Sequence, residues 1–144
     1  MIININLNDY RKQEYADFLT KEQRIKARHI MARQLSELLA MPTTENLYWI
    51  ETKTDLVDLV HEVYLSALLK DSRGMPYPFK KMVKLACAVL HMPEPANCYS
   101  IVCNARNRKN IKQTSFFSRY CRLLYQEKES NPLRGMIRRM KSEE

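Results

Sequence analysis

PANCYSIVCNARNRKNIKQTSFFSRYCRLLYQ, residues 95–126, decides how the chain is read. It carries six basic residues (Arg106, Arg108, Lys109, Lys112, Arg119 and Arg122) and neither Asp nor Glu. Two aromatic-bearing, helix-like segments meet at a cationic, amide-rich turn. At 100° per residue, Cys98, Ile101, Val102 and Ala105 form an inward stripe over 97–107, and Ser100, Asn104 and Asn107 fall on the opposite face. After the turn at 109–113, Thr114 is the expected N-cap. Phe116, Phe117, Tyr120, Leu123 and Leu124 form the next core stripe, leaving Ser115, Ser118, Arg119, Arg122 and Gln126 outside. A basic surface without local carboxylates suits phosphate; a solvated basic helix pair is the alternative.

Working outward, the pattern stays helical. Thr20 and Gln23 form a capping box ahead of a helix with Ile25, Ile30, Leu35, Leu38, Leu39 and Met41 on its face, and Pro42 stops it. A shorter helix over 9–19 would turn Tyr15, Phe18 and Leu19 inward. Period-two alternation of Ile3, Ile5 and Leu7 allows a short arm or edge strand. Residues 43–50 read as a connector with Trp49 as a core anchor. Thr52 or Thr54 caps the next helix, whose stripe is Leu56, Leu59, Val60, Val63 and Ala67. Asp71–Gly74 is a turn. Pro78 opens a helix lined by Phe79, Met82, Val83, Ala86, Val89 and Leu90, and Pro93 and Pro95 close it. Asn131-Pro132 ends the last helix, and a basic tail follows.

The chain has 144 residues, two glycines and a net charge of +8. So few glycines disfavour turn-rich β folds and phosphate-cradling loops. Residues 1–70 sum to −1 and residues 71–144 to +9, so a polyanion contact belongs to the second half. The four cysteines (Cys87, Cys98, Cys103 and Cys121) make no CxxC pair and no zinc-ligand spacing, so reduced thiols are expected. His29, His61 and His91 enter no metal or catalytic motif. No nucleophile elbow, Walker loop or paired carboxylates stand out, so a non-enzymatic protein with no metal or cofactor is expected. The tyrosines fall among core stripes and form no base-stacking platform. No run reaches membrane-spanning length and no signal pattern opens the chain, so a cytoplasmic protein is expected.

These features lead to an all-α fold of five to six helices with a C-terminal helix-turn-helix unit. The expected divisions are 1–47 (arm and helices), 48–128 (helix-turn-helix domain) and 129–144 (basic tail). In a helix-turn-helix, a second helix enters the major groove and outward amides reach base edges. Ser100, Asn104 and Asn107 are then the candidate base readers, and Arg106, Arg108, Lys109, Lys112, Arg119 and Arg122 the phosphate contacts. The expected partner is double-stranded DNA. A basic face could instead dock an acidic protein, making the chain an adaptor with a degenerate fold. Residues 9–41 could form a homodimer seam or pack on their own domain.

Trp49, Thr52-Lys53 and Leu56-Val57-Asp58-Leu59-Val60 resemble the W-x-x-[ST]-K-x-x-L-x-[DE]-L opening of the RteC-family C-terminal domain. Tyr99, Arg106-Asn107-Arg108-Lys109 and Thr114-Ser115-Phe116-Phe117 are similar to its later aromatic, R-x-R-K and T-x-F-[LF] run. The resemblance covers roughly 49–126. Ser100 stands where an arginine is usual, and one extra residue separates Lys109 from Thr114. The resemblance implies a winged-helix-like DNA-binding domain and a regulator of genes for excision of a conjugative transposon. It places Arg106, Arg108 and Lys109 in the family's basic motif.

Overall fold

A computed structural model of the chain describes residues 13–109 and 114–140, with side chains throughout except at 105–109. The arm expected at 1–8, the start of the helix expected over 9–19, and Lys112 with most of its turn lie outside the described residues. What is described is mostly helical, with five α-helices and one two-stranded sheet.

Helix α1 spans Lys21–Leu39. Its capping box is complete: Thr20 Oγ1 accepts from the Gln23 N–H at 3.1 Å, and Gln23 Oε1 accepts from the Thr20 N–H at 2.9 Å. The buried face is Ala27, Met31, Gln34, Leu35 and Leu38. This corrects the expected face, because Ile25 is 45% exposed and Met41 is also exposed. Small alanines and a glutamine occupy core positions that a search for large apolar residues passes over. Gln34 is tolerated there because both ends of its amide are bonded. Its Nε2 donates to the Ser130 carbonyl at 3.1 Å, and its Oε1 accepts from the Tyr120 hydroxyl at 2.7 Å. Among the described residues before α1 there is a 3₁₀ turn at Tyr15–Phe18, and Phe18 points outward at 70% exposure rather than inward.

The connector contains strand β1, Leu47–Trp49, and the tail contains strand β2, Ile137–Arg139. They pair antiparallel in the register Leu47↔Arg139, Tyr48↔Arg138 and Trp49↔Ile137. Leu47 and Trp49 point inward and Tyr48 outward, the period-two pattern of a strand. Between the last helix and β2, a 3₁₀ turn at Pro132–Met136 buries Leu133 and Met136. The other edge of β1 is covered by the Leu90 carbonyl, which accepts from the Trp49 N–H at 3.2 Å.

Helix α2, Lys53–Ser66, is the hub, packing against α1, against α3 (Phe79–Val89), against α4 (Cys98–Lys109) and against α5 (Phe116–Cys121). Its central residues Leu56, Val57, Leu59 and Val60 are all buried, as expected of a helix surrounded by others. Thr52 caps it, with Oγ1 accepting from the Asp55 N–H at 3.1 Å. Ala67 is not in the core stripe: it is exposed and ends the helix in a left-handed conformation, φ 54°. The Asp71–Gly74 turn forms, with Asp71 Oδ1 accepting from the Arg73 and Met75 N–H groups. Pro78 is the N-cap of α3 rather than its first residue. Ser115, not Thr114, caps α5, which runs on into a π-helical turn at Arg122–Gln126 and so ends before Asn131. One buried cluster draws residues from Ala16 to Met136.

Candidate nucleic-acid interface

Asn97 starts α4: its Oδ1 accepts from the Tyr99 and Ser100 N–H groups at 3.1 and 3.2 Å, a local N-cap. That start sets which residues face in. Cys98 and Val102 are buried, Ile101 is half-buried, and Ser100, Cys103 and Asn104 are exposed. The helix backbone continues through Arg106, Asn107, Arg108 and Lys109. An amide and a hydroxyl therefore stand in solvent one turn apart, free to exchange water for another hydrogen-bonding partner.

The two later arginines are placed differently. The Arg119 guanidinium donates to both carboxylate oxygens of Asp55, the Nη1 bond at 3.1 Å, and lies 5.7 Å from the Phe116 ring centroid. That bond holds the guanidinium pKa above its ordinary value, against the opposing effect of burial. Arg122 is exposed and lies over Tyr15 at 5.6 Å. Ser115 and Ser118, expected on the open side with these arginines, are buried. The cause is Glu14. Its Oε1 accepts from the Ser115 N–H at 2.7 Å, and its Oε2 accepts from the Ser115 and Ser118 hydroxyls at 2.8 and 3.1 Å. A carboxylate from the start of the chain thus satisfies the N-terminal donors of α5.

Among the described residues the expectation that tyrosines sit in the core fails at Tyr48, which faces outward from β1, and at Tyr64 and Tyr99. Tyr99 is 58% exposed and Tyr64 is 40% exposed, and these two share a support. Both rest on the buried Phe79 ring, with centroids 5.2 and 5.5 Å away. His61 meets the same ring edge-on at 5.2 Å. Sequence spacing does contain a signal for Tyr64: it directly follows Val63 at the end of the α2 core stripe, and so turns off that stripe. Lys80, Lys81 and Lys84 are exposed on α3, and no ion pair among the described residues engages them.

The remaining chemistry-bearing groups are dispersed. His29 is exposed on α1, while His91 Nδ1 lies 2.7 Å from the Leu47 carbonyl and its ring stacks on Tyr48 at 4.5 Å. Cys87, Cys98 and Cys121 are buried free thiols, and Cys103 is an exposed one. Burial pushes the Cys87 thiol up to about 11 and the Cys121 thiol up to about 12, so both are poor nucleophiles near neutrality. Among the described residues no cluster of His, Cys, Asp or Glu could hold a metal ion, and no helix is long and apolar enough to cross a membrane. A cavity of about 340 Å³ opens between α1 and the sheet, lined in part by Gln34, Leu38, Leu47, Leu133 and Arg134. No protein-family model matches the chain, and no curated protein or solved structure matches it either.

Proposed function

We propose that the chain is a DNA-binding transcriptional regulator of a mobile genetic element, with an RteC-like helix-turn-helix in which α4 enters the major groove. The observation that carries this reading is the exposed Ser100–Asn104 face of α4, set in a 32-residue stretch that has basic residues and no carboxylate. Support comes also from α2 packing against both α3 and α4, an arrangement in which a first helix braces two others. The α3–α4 connection is longer than the three- or four-residue turn of the simplest such motifs. In this reading Ser100, Asn104 and Asn107 reach base edges, and Arg106, Arg108, Lys109, Lys112 and Arg122 contact phosphates. Arg119 contributes through its ion pair, by fixing α5 to α2. The protein acts in the cytoplasm, without enzymatic chemistry.

Enrichment of bound fragments from the native genome, at two salt concentrations, tests the proposal. A discrete sequence should be selected. With about 4–6 phosphates neutralised, log K should fall against log[salt] with a slope of about −4 to −5. Asn104→Ala should relax preference at one base pair at a cost of about 1–3 kcal/mol on the selected site. Charge reversal at Arg106 and Arg108 should weaken every duplex alike. Salt-insensitive affinity, or no selected sequence, would remove the proposal. The second reading, an adaptor docking an acidic protein, is favoured by exposed Leu65, Leu68 and Met75; it expects retention of a partner protein with no enriched fragment.

A further inference from the structure

We infer that the Tyr64–Phe79–Tyr99 aromatic cluster is a stacking platform for an unpaired base of a DNA strand, beside the duplex-reading face of α4. The inference rests on the DNA reading above only for the identity of the polymer; it concerns a different surface and an unpaired strand.

Three observations converge. First, Tyr99 and Tyr64 present much of their surface to solvent while the buried Phe79 fixes both rings from below. A fixed, open aromatic ring loses little conformational freedom when a base stacks on it, and every base has a π face to offer. Second, the surroundings are cationic. Helix α3, which carries Phe79, exposes Lys80, Lys81 and Lys84 and has no carboxylate. Lys80 and Lys84 lie one turn apart on α3 and are exposed. This charge suits a phosphate backbone and opposes a second copy of the same basic surface. Third, Tyr99 and Lys80 line one cleft of about 210 Å³, with Val83, Glu94, Pro95 and Asn97 among its other walls. A ring and an ammonium in one cleft match the pairing of base and phosphate within a nucleotide. Glu94 is the one carboxylate there and limits how deep a phosphate can enter.

The test uses the full chain and fluorescence anisotropy. The probes are a labelled oligo-dT strand of about twelve nucleotides, its oligo-U counterpart, and a blunt duplex with and without a single-stranded extension. Tyr99→Ala should weaken oligo-dT binding about 5- to 100-fold, the effect of losing one stacked base. Tyr99→Phe should stay within about twofold of the parent, because stacking needs the ring and not the hydroxyl. Urea unfolding of each variant separates loss of binding from loss of fold. Equal oligo-dT affinity for parent and Tyr99→Ala overturns the inference. So does a Tyr99→Phe defect as large as that of Tyr99→Ala, which would mean a hydroxyl bond. Tighter oligo-U than oligo-dT binding overturns the DNA assignment. Oligo-dT binding without duplex selection sinks the duplex reading alone, and duplex selection without oligo-dT binding sinks this inference alone.

Discussion

Arg119 belongs to two accounts, a phosphate contact in the sequence and an ion pair in the fold, and its energetics separate them. The bidentate bond to Asp55 is the stronger kind of hydrogen bond, yet the Arg119 side chain is 40% exposed, so solvent discounts it. Its Nε is buried without a partner, which subtracts further. The Asp55 side chain is only 11% exposed, so removing the guanidinium strands a nearly buried carboxylate. Arg119→Met should therefore cost about 1–3 kcal/mol of stability, read from the urea midpoint, and leave duplex affinity within about twofold of the parent. Lost affinity at unchanged stability would return Arg119 to the phosphate contacts. Helical spacing correctly put Arg119 off the Phe116–Tyr120 stripe. It held no information about which carboxylate stands opposite, because Asp55 lies 64 residues earlier. The same blindness hid Glu14, whose bonds to Ser115 and Ser118 bridge more than 100 residues.

Elements governed by local chemistry were legible, and elements that depend on a distant partner were not. The Thr20–Gln23 box and the Thr52 cap each close over three residues, so their bonds can be read from the sequence. Strands β1 and β2 have three residues each and exist through each other, although helices α2 to α5 separate them along the chain. The exposed face of α4 was legible because Cys98 and Val102 repeat at helical spacing; the platform beside it was not, because Tyr64 and Tyr99 meet only through Phe79. Ala67 shows a third limit. Its spacing continues the α2 stripe, but the helix stops at Ser66 and Ala67 takes φ 54°. A left-handed residue at this position is ordinarily glycine, since a Cβ there is strained. Ala67→Gly should then raise stability by about 0.5–1 kcal/mol, the strain relief outweighing the added freedom of the unfolded chain. A lowered urea midpoint would mean that the Ala67 methyl packs usefully despite its exposure.

At the scale of the molecule, the segment expected to be a basic tail closes the core. Leu133 is 1% exposed and Met136 is 7% exposed, and β2 supplies the only strand paired with β1 among the described residues. The Ser130 carbonyl accepts from Gln34 inside α1's buried face, and the Met136 carbonyl accepts from the Ile50 N–H at 3.0 Å. Charge alone suggested a solvated end, because Arg134, Arg138, Arg139 and Lys141 dominate its composition while its apolar residues are few. Yet Arg139 is itself engaged, donating to Glu45 at 2.9 Å across the sheet. A chain ending at residue 128 loses, besides the buried Pro132, the Leu133 and Met136 side chains, worth about 1.5–3 kcal/mol each. It also leaves the Gln34 amide without its acceptor, at about 1–3 kcal/mol. The total of roughly 4–9 kcal/mol is comparable with the whole stability of an ordinary domain, about 5–15 kcal/mol. The truncated chain should therefore lack a cooperative urea transition and should expose Trp49, which β2 and the core now cover, as a red shift of its fluorescence. If it instead unfolds cooperatively within about 1 kcal/mol of the full chain, residues 129–140 are an appendage and the core closes without them.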